Sequence, residues 1–314
     1  PGLLLRVLTR TGKKADPQIA AVVQVIVETR PDILLLTDID WDYDGLALTA
    51  FADLLAKAGL DYPHRFAARP NAGMATDLDI DGDGRTRGAA DAQGFGEFTG
   101  QGGMAILSRH PIGPVVDHSG FLWRDLPGQI MPELPPEVTA ALRLSSSAHW
   151  DATITIAGKP LHLLAMAATP PVFDGPEDMN GRRNHDELAF WLHHLPDAPF
   201  VLAGMLNVDP ADGDGRADAL ARIMAHVTDP EPRSKGGAAA KGGVNDGQKG
   251  DPALDTGNWP DDKPPGNLRA DYVLPKKGLK VLDAGVFWPE GGPLAKAALA
   301  ASAHRLVWVD LDWP

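Results

Sequence analysis

A chain of 314 residues with 44% hydrophobic and 23% charged residues can bury a large core and has ordinary globular composition. Its net charge of −13 argues against a generally basic nucleic-acid surface, although a local cleft or a bound cation can still take a phosphate. With no cysteine there are no disulfides, zinc–thiolate sites or thiol nucleophiles. With no run of about 18 apolar residues, no transmembrane helix is expected.

The sequence opens at Pro1 rather than Met, so a signal peptide removed or left out upstream is an expectation. Residues 3–9 (LLLRVLT) read as a short buried strand. Asp16 and Pro17 supply an N-cap and a first helical position, predicting a helix to about Thr29. Residues 33–37 read as a second buried strand, ending in an acidic run at Asp38, Asp40, Asp42 and Asp44. A helix is expected from Gly45 to about Ala58, then a strand at 65–68. Residues 70–102 carry Gly, Asp and Thr with no sustained period and read as loop.

Strand character returns at 102–112, and residues 119–147 read as irregular. Residues 152–156 and 161–165 form a predicted strand pair turning at Gly158 and Lys159. A helix at 182–195, a core strand at 200–204 and a helix at 216–226 follow. Residues 229–267, rich in Gly, Pro, Asp and Lys, suit a long mobile surface loop. Residues 268–274, 281–287 and 305–310 supply the final strands. No linker separates compositional blocks, so a single domain over residues 1–314 is expected.

Five segments carry a resemblance: LRVLT near the start, DILLLTDIDWDYDG, TPPVFDGPEDMNGRRNHDE, LNVDP, and RADYVLP with the terminal AHRLVWVDL. Together they resemble the endonuclease/exonuclease/phosphatase superfamily, and the run from Thr169 to Glu187 looks like a bacterial, often exported branch of it. The resemblance implies an α/β fold, a four-layer αββα sandwich of two mixed β-sheets flanked by helices. It also implies phosphoester hydrolysis in which a divalent cation polarises the phosphoryl group, a carboxylate prepares water, and histidines stabilise charge.

Carried over residue by residue, the family pattern is broken. Asp38 stands where a metal-binding Glu is expected and keeps the charge with a shorter reach. Asn207, Asp271 and His304 match surviving family positions. Thr11 replaces an Asn, Ala167 (followed by Ala168) replaces the first catalytic His, and Met205 replaces the water-aligning carboxylate. Ala303 replaces the carboxylate that supports the metal and its neighbouring His. Single losses of this kind typically cost a hundredfold or more.

Outside that pattern, residues 77–84 (DLDIDGDG) have calcium-loop spacing, with Asp77, Asp79, Asp81 and Asp83 as candidate ligands. Gly88 occupies the position where a bidentate Glu would close the shell, and Asp91 substitutes only if the loop folds back. The bland alternative is a solvated acidic loop. The similar run at 209–216 is weaker, because Asp209 serves equally as a helix cap.

GRRNHDE at 181–187 reads as an anion-binding helix start or, more simply, as Asn184 and Asp186 capping while the arginines are solvated. His149 and Trp150 suit a packed pair better than a cleft wall, and His193 and His194 suit a helix end. No G-x-S-x-G setting supports a serine hydrolase.

Three functional readings follow. The first is a largely inactive family member kept to bind a ligand or protein partner. The second is a phosphoesterase with a rebuilt site of Asp38, Asp40, Asp271 and His304, using magnesium or manganese. The third is another reaction in the same cleft, for which no residue argues. Calcium is the cofactor expected at the acidic loop, and exported localisation rests on the family resemblance alone.

Overall fold

The structure is a computed structural model that describes residues 2–10 and 12–313. Its helices are α1 (Gly2–Leu8), α2 (Pro17–Thr29), α3 (Leu46–Lys57), α4 (Pro136–Ala141), α5 (Met179–His194), α6 (Asp218–Ile223), α7 (Lys235–Ala239) and α8 (Gly292–Ala301). The first strands are β1 (Ile33–Ile39), β2 (His64–Phe66), β3 (Gly103–Ser108), β4 (Ile112–Asp117) and β5 (His149–Ile156). The remaining strands are β6 (Lys159–Ala167), β7 (Phe200–Met205), β8 (Asp271–Pro275), β9 (Lys280–Val286) and β10 (Val307–Asp312).

One layer is a five-stranded mixed sheet in the order β4-β5-β6-β7-β8, parallel only between β6 and β7. The facing layer comes in two antiparallel pieces, β1-β3-β2 and β10-β9. Alternation along the strands sends Leu161, Leu163, Ala165 and Ala167 into the space between layers, where Met104, Ile106 and Trp150 meet them. The opposite faces are covered by helices. Leu164, Met166 and Leu202 pack under Leu188, Phe190 and Trp191 of α5. Leu34, Ala105 and Leu107 pack under Phe51, Ala52 and Leu55 of α3. The result is the expected αββα order.

Local chemistry explains most boundaries. Asp16 Oδ1 accepts from the amides of Gln18 (2.9 Å) and Ile19 (3.2 Å), which starts α2. Arg30, at φ 49°, ends it. Ala157 and Gly158, both at positive φ, make the tight turn between β5 and β6, one residue earlier than the sequence suggested.

Several expectations are corrected. Residues 3–9 were expected to be a strand, but Gly2–Leu8 is helical, because Leu4, Leu5 and Leu8 fall on one face that meets the α3 cluster. Residues 229–267 are no simple surface loop: they contain α7 and bury Asn245, Asp255, Thr256 and Asn267. Hydrogen bonds rather than apolar patterning hold that segment. Helix α8 had no periodic signal, yet its alanine-rich run has high helix propensity and buries Ala295, Ala297, Ala298 and Ala301, partly against α2.

The correction with most structural weight concerns α5. Arg183, Asn184, His185, Asp186 and Glu187 are all buried inside it, so none caps the helix and the Arg183 guanidinium is not solvated. Arg183 donates to the carbonyls of Gln93, Arg143, Leu144 and Ser145. Asn184 Nδ2 donates to Thr169 O and Leu206 O. Asp186 Oδ2 accepts from Trp123 Nε1 (2.6 Å) and Ile130 N (2.8 Å), while its Oδ1 lies 2.8 Å from His185 Nδ1. Glu187 accepts from Ser146 N, Ser146 Oγ and Thr169 N. Irregular loops are thereby fastened to one rigid helix.

Two outcomes follow. Arg183→Leu strips a buried charge from four carbonyls and from Glu187, and destabilises the protein by roughly 3–5 kcal/mol in urea unfolding. Burial pushes the Glu187 carboxyl up to about 7 from its ordinary 4.5, against the pull of Arg183 and of three hydrogen bonds. A raised folded-state pKa means that this group's contribution is fully present below 4.5 and lost as pH rises through about 7. Glu187→Gln therefore removes the decline in thermal midpoint across that window, whatever its effect on absolute stability.

Candidate functional site

Three strand ends meet side by side at one end of the five-stranded sheet. In the ladder, Ala167 of β6 pairs with Met205 of β7, and Met205 pairs with Asp271 of β8, so these three side chains form one row. Strand β1 packs across on β7, and β10 on β8. Asp38 interrupts the β1–β3 register between Thr37 and Ile39, with φ 56°. Such a bulge re-aims a side chain and bends the strand. Gly102 permits the close approach there, since a Cβ on it would lie 3.3 Å from Asp38 Oδ1.

Asp271 is engaged on one oxygen by two partners. Its Oδ2 lies 2.8 Å from His304 Nδ1 and accepts from Thr256 Oγ1, also at 2.8 Å. The buried Thr256 hydroxyl in turn accepts from the amides of Ala270 (3.0 Å) and Asp271 (2.9 Å), which fixes the start of β8. Trp259 stands edge-on to His304 at 5.2 Å. Burial alone would lower the His304 pKa, but the charge and hydrogen bond of Asp271, aided by Asp38, raise it above 6.5. Desolvation raises the Asp38 carboxyl, with His304 pulling it down and Asp40 pushing it up, even though the side chain reaches solvent. The imidazole is thus held toward its cationic form by the carboxylates of Asp271 and Asp38.

Asn207 sits next to this pair in left-handed conformation, φ 53°. Its amide and that of Leu206 both donate to Ala270 O at 2.9 Å, and its Nδ2 donates to Ala168 O at 2.8 Å. Asn207 therefore ties together the ends of β6, β7 and β8. Met205 is half-buried against the apolar layer between the sheets, Ala167 is buried, and Ala303 is exposed. Thr11 lies outside the described residues.

The acidic loop forms a second cluster. Asp77 pairs with Arg87 at 2.8 Å, and Asp83 Oδ1 accepts from Arg85 N, so both turn away. Asp79 Oδ1 and Oδ2 accept from the amides of Gly82 and Gly84. Asp91, 2% exposed, folds back and accepts from Ile80 N and Gly88 N. One carboxylate oxygen from each of Asp79, Asp81 and Asp91 lies within 4.8 Å of the others. The run at 209–216 instead makes a turn. Asp209 accepts from Ala211 N, Asp212 N and Arg269 N, well before α6 begins.

Sequence reasoning passed over Thr256 and Trp259, because neither belongs to a local pattern that announces chemistry. His149 and Trp150 are core residues. His149 Nε2 lies 3.0 Å from Glu187 O, and burial lowers the imidazole to about 4. His194 stacks on Phe190 at 3.9 Å.

Residues 5–304 match the family model described as Endonuclease/Exonuclease/phosphatase family. A search of the curated proteins returns no match. Among solved structures, an endonuclease/exonuclease/phosphatase family protein from Leptotrichia buccalis is similar with a TM-score of 0.55 and 15% identity, over 98% of this chain and 97% of that one. The 3′ phosphatase NExo from Neisseria, bound to a product DNA hairpin, gives 0.51 and 16%, over 94% and 95%. Humanized D. rerio TDP2 gives 0.50 and 12%, over 95% and 92%. At such identities the likeness is one of fold.

Proposed function

Because the chain belongs to the Endonuclease/Exonuclease/phosphatase family, we propose that it keeps the family's cleft to bind a ligand or protein partner and has largely lost metal-dependent phosphoester hydrolysis. The observation that carries this reading is the row Ala167, Met205, Asp271. Two of its three positions carry apolar groups, which pack into the layer between the sheets. The third carboxylate is already engaged by His304 and Thr256. Divalent cations need several oxygen ligands, and magnesium needs them in near-octahedral array. A row that offers one engaged carboxylate, a thioether and a methyl group, with the shorter Asp38 as the other remnant of the metal shell, fits that requirement poorly.

The competing reading, a working phosphoesterase rebuilt on Asp38, Asp40, Asp271 and His304, draws support from His304, which hydrogen-bonds Asp271 and is held toward its cationic form by the charges of Asp271 and Asp38. An assay separates them. Supplied with magnesium or manganese and a panel of phosphodiesters and phosphomonoesters, the unmodified protein gives no turnover above background. The joint variant Met205→Asp, Ala303→Asp, Ala167→His regains some. Robust metal-dependent turnover by the unmodified chain, abolished by Asp38→Ala, selects the rebuilt site instead.

For the acidic loop we infer a calcium ion held by Asp79, Asp81 and Asp91, since three carboxylate oxygens already converge there and calcium tolerates irregular oxygen shells. Exported localisation is proposed with it, on the family resemblance. Calorimetry gives calcium binding that Asp79→Ala and Asp91→Ala abolish and Asp77→Ala leaves in place. A flat titration of the intact protein ends the idea.

A further inference from the structure

The far end of α5 carries a pair of histidines that the strand-end site does not use. His118 directly follows β4, and its amide donates to His149 O at 2.9 Å, which fixes it beside the start of β5. His194 is the last residue of α5. The two imidazole rings stand with centroids 5.4 Å apart and planes tilted by 53°. Phe190 stacks on His194 at 3.9 Å and meets His118 at 5.2 Å, while Phe121 stands edge-on to His194. Both histidines are only half-buried, so solvent reaches the pair.

Hydrogen bonding sets the tautomer of one ring. His194 Nδ1 lies 2.8 Å from Phe190 O, and a carbonyl only accepts, so Nδ1 carries the proton. In the neutral ring Nε2 then presents its lone pair, and a metal-binding histidine usually donates its other nitrogen in just this way. His118 is held toward its neutral form, first by burial and then by His194, with Asp151 and Asp117 opposing. A neutral imidazole is the form that binds a metal.

Separation and charge agree with that role. With zinc–nitrogen bonds of about 2.0–2.1 Å in a tetrahedral shell, two imidazole centroids on one ion stand roughly 5 Å apart. Deeper in the core, His149 is lowered to about 4 by burial and adds no positive charge at neutral pH. The carboxylates of Asp117 and Asp151 act on His118 in the direction that favours a cation.

We propose that His118 and His194 form a binding site for a divalent transition-metal ion of the zinc, nickel or copper class, with water filling the remaining positions. Imidazole nitrogen favours these ions over magnesium and calcium, which prefer oxygen. A bound ion ties the loop after β4 to the last turn of α5. The site lies ten residues along α5 from Asn184, roughly 15 Å at the helical rise, so it stands whatever the cleft and the acidic loop bind.

Zinc chloride titrated into the unmodified full chain tests it, read by the ring-nitrogen NMR resonances of the histidines and by calorimetry. The resonances of His118 and His194 move together and saturate at one equivalent, and magnesium moves neither. His118→Gln and His194→Gln each weaken the binding by about tenfold or more, while His193→Gln, the exposed neighbour, leaves it unchanged. Circular dichroism without metal checks that the variants fold. If His194→Gln does not, the ring-nitrogen shifts of the unmodified chain decide alone. Zinc that leaves both rings unmoved, or binding that neither substitution weakens, reduces the pair to aromatic packing and overturns the proposal.

Discussion

The rest of the structure depends on the buried polar row of α5. A helix that buries an Arg, an Asn, a His, an Asp and a Glu in succession is costly unless every group is paired, and here nearly every one is. The partners are mostly backbone groups of segments that have no regular structure of their own. Carbonyls at Gln93, Arg143, Leu144 and Ser145 converge on one guanidinium, and Ser146 and Thr169 converge on one carboxylate. The helix thus does for the loops what a ladder does for strands. It also positions the cleft, because Asn184 holds Thr169 and Leu206, the residues that follow the strand ends bearing Ala167 and Met205.

That arrangement separates scaffold from chemistry. Neither the Met205 nor the Ala167 side chain takes part in the α5 network, so a change at either position leaves that network untouched. Both side chains lie in or against the apolar layer between the sheets. A fold supported by backbone-directed bonds can therefore persist while the groups at its strand ends change. Asp271, His304 and Thr256 retain an oriented charge pair there, and the bulge at Asp38 aims a carboxylate toward it.

The acidic loop follows a similar logic at smaller scale. The amides of Gly82 and Gly84 hold Asp79, and that of Gly88 holds Asp91, which brings the carboxylates together. Arg87 withdraws Asp77 from the group. With a net charge of −13, convergence of further carboxylates adds repulsion that a divalent cation relieves.

By itself the sequence determined the strand and helix order over most of the chain, because Asp16, Pro17 and the apolar runs at β1, β5, β6 and β7 act locally. It also carried the family resemblance, through short motifs that include Ala167, Met205 and Ala303. Tertiary structure decided the rest. Whether Arg183 is solvated or buried depends on carbonyls about 40 to 90 residues away in the chain. Thr256 orients Asp271 through bonds that no local pattern encodes. Asp91 joins Asp79 and Asp81 only because the loop folds back. Residues 3–9 have an apolar run that serves a helix face or a buried strand equally well, so periodicity cannot choose between them. Packing decides it: Leu4, Leu5 and Leu8 meet the α3 cluster on one helix face.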